Sequence, residues 1–234
     1  MRIARAIREK AMTDQVCDDG RVSPLVGFVR ARPHLKERLR RPLERLGFGT
    51  SDWVREVMYE ECFAFLAGLH PERCHVLEIS AGNQWRQRFN FRSFTETQYP
   101  DFDICADVLP RTFDVIIADQ VFEHLPWPYR AVRNVHAMLK PGGVFIVAAP
   151  FLVRVHNVPL DCNRWTETGL SHLLQEGGFR PDDIRTRSWG NRACVVANFT
   201  RWSKRGLLGS RRNEPDFPVM VWAYARRAGG EDAR

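Results

Sequence analysis

Two apolar runs that do not alternate with polar residues constrain this chain more than any other feature. Phe113-Asp114-Val115-Ile116-Ile117-Ala118 and Val144-Phe145-Ile146-Val147-Ala148-Ala149 are apolar at nearly every position and rich in β-branched residues. A strand with one wet face alternates, whereas a strand buried on both faces does not, and the latter belongs to a parallel sheet covered on both sides. Between the runs, after Pro126 and Pro128, the residues Ala131, Val132, Val135, Met138 and Leu139 recur at helical spacing. Pro141-Gly142-Gly143 stops that helix before the second run. Strand–helix–strand crossovers are right-handed, so the pattern predicts a doubly wound α/β sheet with helices on both faces.

The flanking sequence extends this unit. Val76-Leu77-Glu78-Ile79 reads as a buried strand entering a tight turn at Ser80-Ala81-Gly82-Asn83, and a second strand is expected near residues 92–97. Upstream, Ser51 or Asp52 caps a predicted helix carrying Trp53, Val54, Val57, Met58, Cys62, Phe65 and Leu66, with Gly68 and Pro71 ending it. Downstream, a helix over 167–176 closes at Gly177-Gly178. Strands are expected over 184–189 and 219–225, with a helix over 192–202 and a polar loop between them. Residues 1–50, broken by Pro24, Pro33 and Pro42, read as a helical N-terminal extension or cap. The predicted division is therefore 1–50, a main domain at 51–228, and a disordered tail at 229–234.

Composition narrows the classes of function. Charges interrupt every apolar stretch well short of the roughly 18–20 residues a membrane-spanning helix needs. The arginine-studded N-terminus does not read as a secretory signal. Six cysteines are scattered singly, with no Cys-x-x-Cys pair, which predicts reduced thiols, no metal site and a cytoplasmic protein. The net charge of +7 is concentrated, since residues 1–50 hold twelve Lys/Arg against six Asp/Glu. Such a patch is either a solvated face or a surface that attracts anionic partners.

Taken together, the segments 76–83, 113–125 (ending Asp119-Gln120-Val121-Phe122-Glu123-His124-Leu125) and Leu139-Lys140-Pro141-Gly142-Gly143 resemble class I S-adenosylmethionine-dependent methyltransferases of the type 11 group. The resemblance spans roughly residues 55–225. It implies a Rossmann-like, seven-stranded, mostly parallel sheet with a C-terminal antiparallel hairpin, and S-adenosylmethionine as cofactor. It places the methionine end of the cofactor at Glu78, Ser80, Ala81, Gly82 and Asn83, where Glu78 receives the ammonium and Gly82, lacking a Cβ, admits close approach. The family pattern has three alternating glycines here, and this chain has Ser80, Gly82 and Gln84. An acid about twenty positions on is expected to take the ribose hydroxyls. Glu96 is the candidate, with Gln98 or Asp101 serving under another register. Asp107 matches the aspartate that accepts the adenine amino group, or else caps its loop. Asp119 and Gln120 follow the central strand, at the carboxyl edge where open sheets bind ligands.

For the chemistry, His124 matches a histidine common near the reaction centre of this group, and an imidazole suits a base for a hydroxyl nucleophile. The loop from Pro150 to Thr166 adds Arg154, His156, Asp161, Arg164 and Trp165. The resemblance extends to methyltransferases of glycan and natural-product modification. On that basis His156 or His124 removes the acceptor proton, Asp161 orients the imidazole or the hydroxyl, and Arg154, Arg164 and Trp165 grip a small-molecule acceptor. The structural alternative is an Asp161–Arg164 ion pair that fixes the loop, with Thr166 as a helix cap. The expected activity is O-methylation of a sugar or small hydroxylated metabolite. A non-catalytic binding or scaffold protein and an RNA methyltransferase are the alternatives. A nicotinamide-dependent oxidoreductase is disfavoured, because Gly-x-Gly-x-x-Gly is absent after the first strand.

Overall fold

The two unalternating runs become neighbouring parallel strands at the centre of one sheet. The structure is a computed structural model that describes residues 52–199, 202–205 and 209–229. Its strands are β1 (His75–Ile79), β2 (Ser93–Thr97), β3 (Phe113–Asp119), β4 (Leu139–Pro150), β5 (Ile184–Trp189) and β6 (Met220–Arg226). They lie in the order β2-β1-β3-β4-β6-β5. The first four run parallel, and β6 is antiparallel to both β4 and β5. From β1 the chain moves outward to β2, and from β3 it moves the other way to β4. The β1 and β3 loops therefore diverge, which is the switch point where a crevice opens at the carboxyl edge.

Helices cover both faces, as unalternating strands require. They are α1 (Glu56–Ala67), α2 (Gln84–Arg88), α3 (Pro128–Met138), α4 (Glu167–Glu176) and α5 (Arg192–Ala197). Leu77, Ile79, Ile116, Ala118, Phe145 and Val147 pack on the α3–α4 side with Val132, Val135 and Leu174. The alternate residues Val76, Val115, Ile117, Val144 and Ile146 pack on the other side with Met58, Cys62, Trp85 and Cys194. Each fully buried side chain of this size contributes about 2 kcal/mol of burial free energy. Pro128 at the first turn starts α3, and Thr166 caps α4 by accepting from the Gly169 amide at 3.1 Å.

The structure departs from the sequence expectation at four places. Six strands are present among the described residues, where seven were expected. The connection 98–112 carries Pro100, Pro110 and three aspartates, which favour turns, and it lies on α3 without forming a strand. There Ile104 and Cys105 enter the core, and Asn134 Nδ2 donates to the Ile104 carbonyl at 2.7 Å. Helix α1 starts at Glu56, later than predicted, and the backbone carbonyl of Asp52 accepts from the Arg55 and Glu56 amides at 3.0 and 3.1 Å. Strand β4 begins at Leu139 and bulges through Lys140–Gly143, with Gly142 at φ +78. Helix α5 stops at Ala197, where the Asn198 side chain turns back onto the Cys194 carbonyl at 2.8 Å. The predicted extension 1–50 lies outside the described residues, as does the predicted tail beyond Gly229. Among the described residues no helix is long and apolar enough to cross a membrane.

Candidate cofactor and acceptor site

The turn after β1 is built around a carboxylate. Ser80 adopts φ +53, the left-handed conformation that glycine occupies without strain. This lets the chain double back so that the Gly82 amide donates to Glu78 Oε1 at 3.1 Å. The Ala81 amide reaches the Thr97 carbonyl at 3.3 Å, and Gln98 Nε2 donates to the Ala81 carbonyl at 2.9 Å, tying the turn to the end of β2. Ser80, Gly82 and Asn83 are exposed, and a Cβ placed on Gly82 would meet nothing nearer than Glu78 Oε1 at 4.0 Å.

Glu78 itself is buried, and its Oε2 has no partner. Burial pushes its carboxyl up to about 7, against the Gly82 bond, with Asp119 and Glu96 adding to the rise. An orphaned buried carboxylate oxygen below an open glycine turn fits the ammonium end of S-adenosylmethionine. Trp85, the first large side chain of α2, is fully buried. Its ring is turned into the α1-side core, edge-on to Phe63 at 5.1 Å, and its Nε1 donates to Asp119 Oδ2 at 3.2 Å.

Of the other predicted cofactor residues, Glu96, Asp119 and Gln120 lie at strand ends of the same edge, and Asp107 lies in the connection 98–112. Glu96 lies beside Glu78 in the parallel register, and Arg86 Nη1 donates to it at 3.1 Å. Asp107 is exposed, and its Oδ2 accepts from the Asp103 amide at 2.7 Å, closing the turn of its own loop. Asp119 Oδ2 accepts from Tyr59 at 2.7 Å as well as from Trp85, while Oδ1 has no partner. Burial raises the Asp119 carboxyl, and the Tyr59 bond, Arg55, Trp85 and Gln120 oppose that rise. Gln120 is left-handed at φ 58 and is held by its amide to the Ala148 carbonyl at 2.9 Å.

A second cluster, the candidate acceptor end, is assembled from the 3-10 turn Phe122–His124 and the loop after β4. The Cys162 and Asn163 amides donate to the Glu123 carbonyl at 2.7 and 3.1 Å, and Asn163 Nδ2 donates to the Leu125 carbonyl at 2.6 Å. The loop is thus fastened against the turn. This brings the His124 and His156 rings edge to face with centroids 5.2 Å apart, and Trp202 meets His156 edge-on at 5.7 Å. Arg154 lies over Trp202 at 5.3 Å. Burial pushes both imidazoles below their ordinary range, and for His156 the neighbouring His124 adds to the effect. Both rings are therefore neutral at neutral pH.

Asp161 and Arg164 are engaged with each other. Arg164 grips both Asp161 oxygens, with Nη2 to Oδ2 at 2.6 Å, and the His156 amide donates to the same Oδ2 at 2.8 Å. Burial works to raise the Asp161 carboxyl, but Arg164 and that amide overcome it and hold the carboxyl below the usual range. Asp161 thus orients the His156 backbone, not an imidazole. Trp165 packs against the α3–α4-side core and beside Gly169.

Four residues of this region were not weighted in the sequence. Arg55, just before α1, acts electrostatically on Asp119, Glu123, His124 and His156. Tyr59 binds Asp119, Glu123 is buried behind His124, and Trp202 flanks His156. Arg55 and Trp202 also line a cleft of about 170 Å³ with Asp52, Val54, Asn198 and Ser203. Arg55 and Tyr59 sit on α1 or at its start among core-facing apolar residues, and helical spacing alone does not assign them to the ligand edge.

Residues 60–145, a little over a third of the chain, match the family described as a methyltransferase domain. No curated protein matches the sequence. Among solved structures, the chain is similar to an S-adenosylmethionine-dependent methyltransferase from Mesorhizobium loti, at 16% identity over 70% of this chain and 97% of that one, TM-score 0.46. It is also similar to phosphoethanolamine N-methyltransferase 2 from Haemonchus contortus, at 13% identity over 73% and 53%, TM-score 0.48. A third is a possible histamine N-methyltransferase from Thermotoga maritima, at 14% identity over 75% and 98%, TM-score 0.43. With TM-scores under 0.5 these likenesses add nothing to the strand order and the domain match. A parallel sheet that closes with an antiparallel β4-β6-β5 end gives the chain a Rossmann-like α/β fold with class I S-adenosylmethionine-dependent methyltransferase topology, and the methyltransferase-domain match runs within it from α1 into β4.

Proposed function

We propose that the chain methylates a hydroxyl of a sugar or other small hydroxylated metabolite, with His156 as the base. S-adenosylmethionine would supply an electrophilic methyl group on a sulfonium. Glu78 and the Ser80–Asn83 turn would hold its methionine end, Glu96 its ribose, and the Asp107 turn its adenine. Alignment and removal of the acceptor proton are then the work left to the protein. The observation that carries the reading is the His156 ring, held by its backbone to Asp161 and flanked by His124 and Trp202 in the loop after β4. A proton leaving the acceptor hydroxyl goes to a His156 ring nitrogen, and Arg154 and Trp202 provide a cationic and an aromatic contact for the acceptor. In a mass-spectrometric screen, hydroxylated metabolites are the expected acceptors, and transfer only to amines or nucleic acid refutes this. His156→Ala should lower kcat by about 10²–10⁴-fold, the usual worth of a general base, with cofactor affinity nearly unchanged.

Two observations favour a second reading, a methyltransferase-like binding protein without activity. Ser80 bears a side chain where the family has a glycine, and Arg86 already holds Glu96. Calorimetry separates the two readings, since no heat with millimolar S-adenosylmethionine or S-adenosylhomocysteine supports the inactive one.

A further inference from the structure

Glu123 is fully buried, and neither carboxylate oxygen has a hydrogen-bond partner in another residue. A naked carboxylate in such a place is strongly disfavoured. Burial pushes this carboxyl up to about 8, against its own backbone amide, Arg55 and Arg164, while Asp119 adds to the rise. At neutral pH it is a carboxylic acid, which brings one O–H donor that needs an acceptor.

The neighbouring imidazole supplies it. His124 Nδ1 lies against the Leu160 carbonyl, which only accepts, so Nδ1 carries the hydrogen and Nε2 keeps its lone pair. That Nε2 stands 3.6 Å from Glu123 Oε1, a few tenths of an ångström beyond a hydrogen bond. The Nδ1 end of the ring is engaged by Leu160, and the Nε2 lone pair has the Glu123 carboxyl as its neighbour across a gap that a small side-chain shift closes.

We propose that Glu123 is a positioning residue that shares a proton with His124 Nε2 and holds that ring as the Nδ1–H tautomer, edge-on to His156. The significance of this pair rests on His156 being the base. An imidazolium at His124 would place a positive charge 5.2 Å, centroid to centroid, from the ring that must take up a proton. A net-neutral pair keeps that charge away. The charged groups facing the pair are Arg55 from the start of α1, Asp119 from β3, and Asp161 and Arg164 from the loop after β4. When the pair ionises, its proton leaves to solvent and the carboxylate remains beside a neutral ring.

Side-chain nitrogen NMR of the histidine-labelled full chain tests this without any acceptor. In the wild type His124 should appear as the Nδ1–H tautomer, with its Nε2 resonance moving as the solution goes from about pH 7 to about pH 9. In Glu123→Gln that alkaline step should vanish, because an amide donates to Nε2 but does not ionise. A His124 Nε2–H tautomer in the wild type overturns the proposal, as does an alkaline step that survives in Glu123→Gln. The wild-type spectrum needs no variant to fold. Because neither spectrum involves methyl transfer, failure of the base or acceptor reading shows separately, in the His156→Ala kinetics. In turnover, Glu123→Gln should alter the pH profile of kcat above about pH 7, and a profile identical to wild type overturns the positioning role.

Discussion

Glu78 shapes its own turn and, in the proposed function, would also receive the cofactor's ammonium. Its Oε1 closes the Gly82 turn, and its Oε2 is left buried and without a partner. With its carboxyl pushed up to about 7, the free protein at neutral pH holds a mixture of acid and carboxylate there. A cationic ammonium favours the carboxylate and draws the proton off. Affinity for S-adenosylmethionine should therefore rise as pH rises from about 6 to about 7.5, with proton release on binding over that range, and fall again once the cofactor's own ammonium is lost above about 8. Calorimetry in buffers of different ionisation enthalpy measures the released proton directly. Glu78→Gln should remove the rise with pH and weaken binding about tenfold to a hundredfold, the worth of one charge-assisted hydrogen bond. Affinity independent of pH in the wild type would place the ammonium elsewhere. Ser80 belongs to the same turn, and its left-handed backbone shows that the turn forms without the family's first glycine at a cost of about 1–2 kcal/mol.

At the level of elements, legibility followed the number of independent signals in each segment. Strands β1, β3 and β5 and helices α3 and α4 each combine a hydrophobic period with a stop residue, and the sequence places them to within a residue or two. Trp53 and Val54 misled because their helical spacing is real but they bury in the turn before α1, where the Asp52 carbonyl starts the helix. The seventh strand, implied by the resemblance, gave way to the turn-favouring prolines and aspartates of residues 98–112, and Asn134 and Met138 of α3 hold that connection by contacts no local pattern announces. The turn at Gly82 and the loop after Pro150 stood out as candidate sites because polar residues interrupt apolar strand ends. Glu123 was quoted within its motif, but its burial depends on the loop that folds over it. Gly177 was legible only as a helix stop, whereas the structure gives it a packing role. A Cβ there would lie 2.0 Å from Val132 Cγ1 and 2.7 Å from Val132 Cβ, where α4 meets α3. Gly177→Ala should cost about 1–3 kcal/mol by overpacking, read as a lower melting temperature. Adding Val132→Ala should recover part of that loss, and two independent, additive losses would show that the contact is not the cause.

Across the whole molecule, ligand-edge carboxyls and histidines pull stability in opposite directions as pH changes. Glu78, Asp119 and Glu123 all have folded pKa values raised by burial, to about 7 for Glu78 and about 8 for Glu123. Their contribution is full below the unfolded carboxylate range and is lost as pH rises through the folded values, because the folded state then holds protons the unfolded chain has released. His124, His136 and His156 are shifted down by burial, so the folded state holds fewer protons than the unfolded chain below about 6.5, and stability falls as pH drops there. Asp114 and Asp161 are held below their ordinary range and matter only at lower pH, where protonation removes their ion pairs. The two trends cross near the histidine range. Below about pH 6.5 the histidines oppose the carboxyls, and above it the carboxyl trend stands alone, so the unliganded protein should lose stability from about pH 6.5 to about pH 8 and level off by about pH 9. Glu123→Gln should flatten the upper part of that fall, and Glu78→Gln the lower part. Saturating S-adenosylmethionine should offset the Glu78 portion, because its ammonium compensates the charge that the free fold leaves bare. A melting temperature that climbs from pH 7 to pH 9 in the unliganded protein would mean that these carboxyls are ionised and solvated in the native state, and the ligand edge would then lack the buried charge on which cofactor recognition is argued.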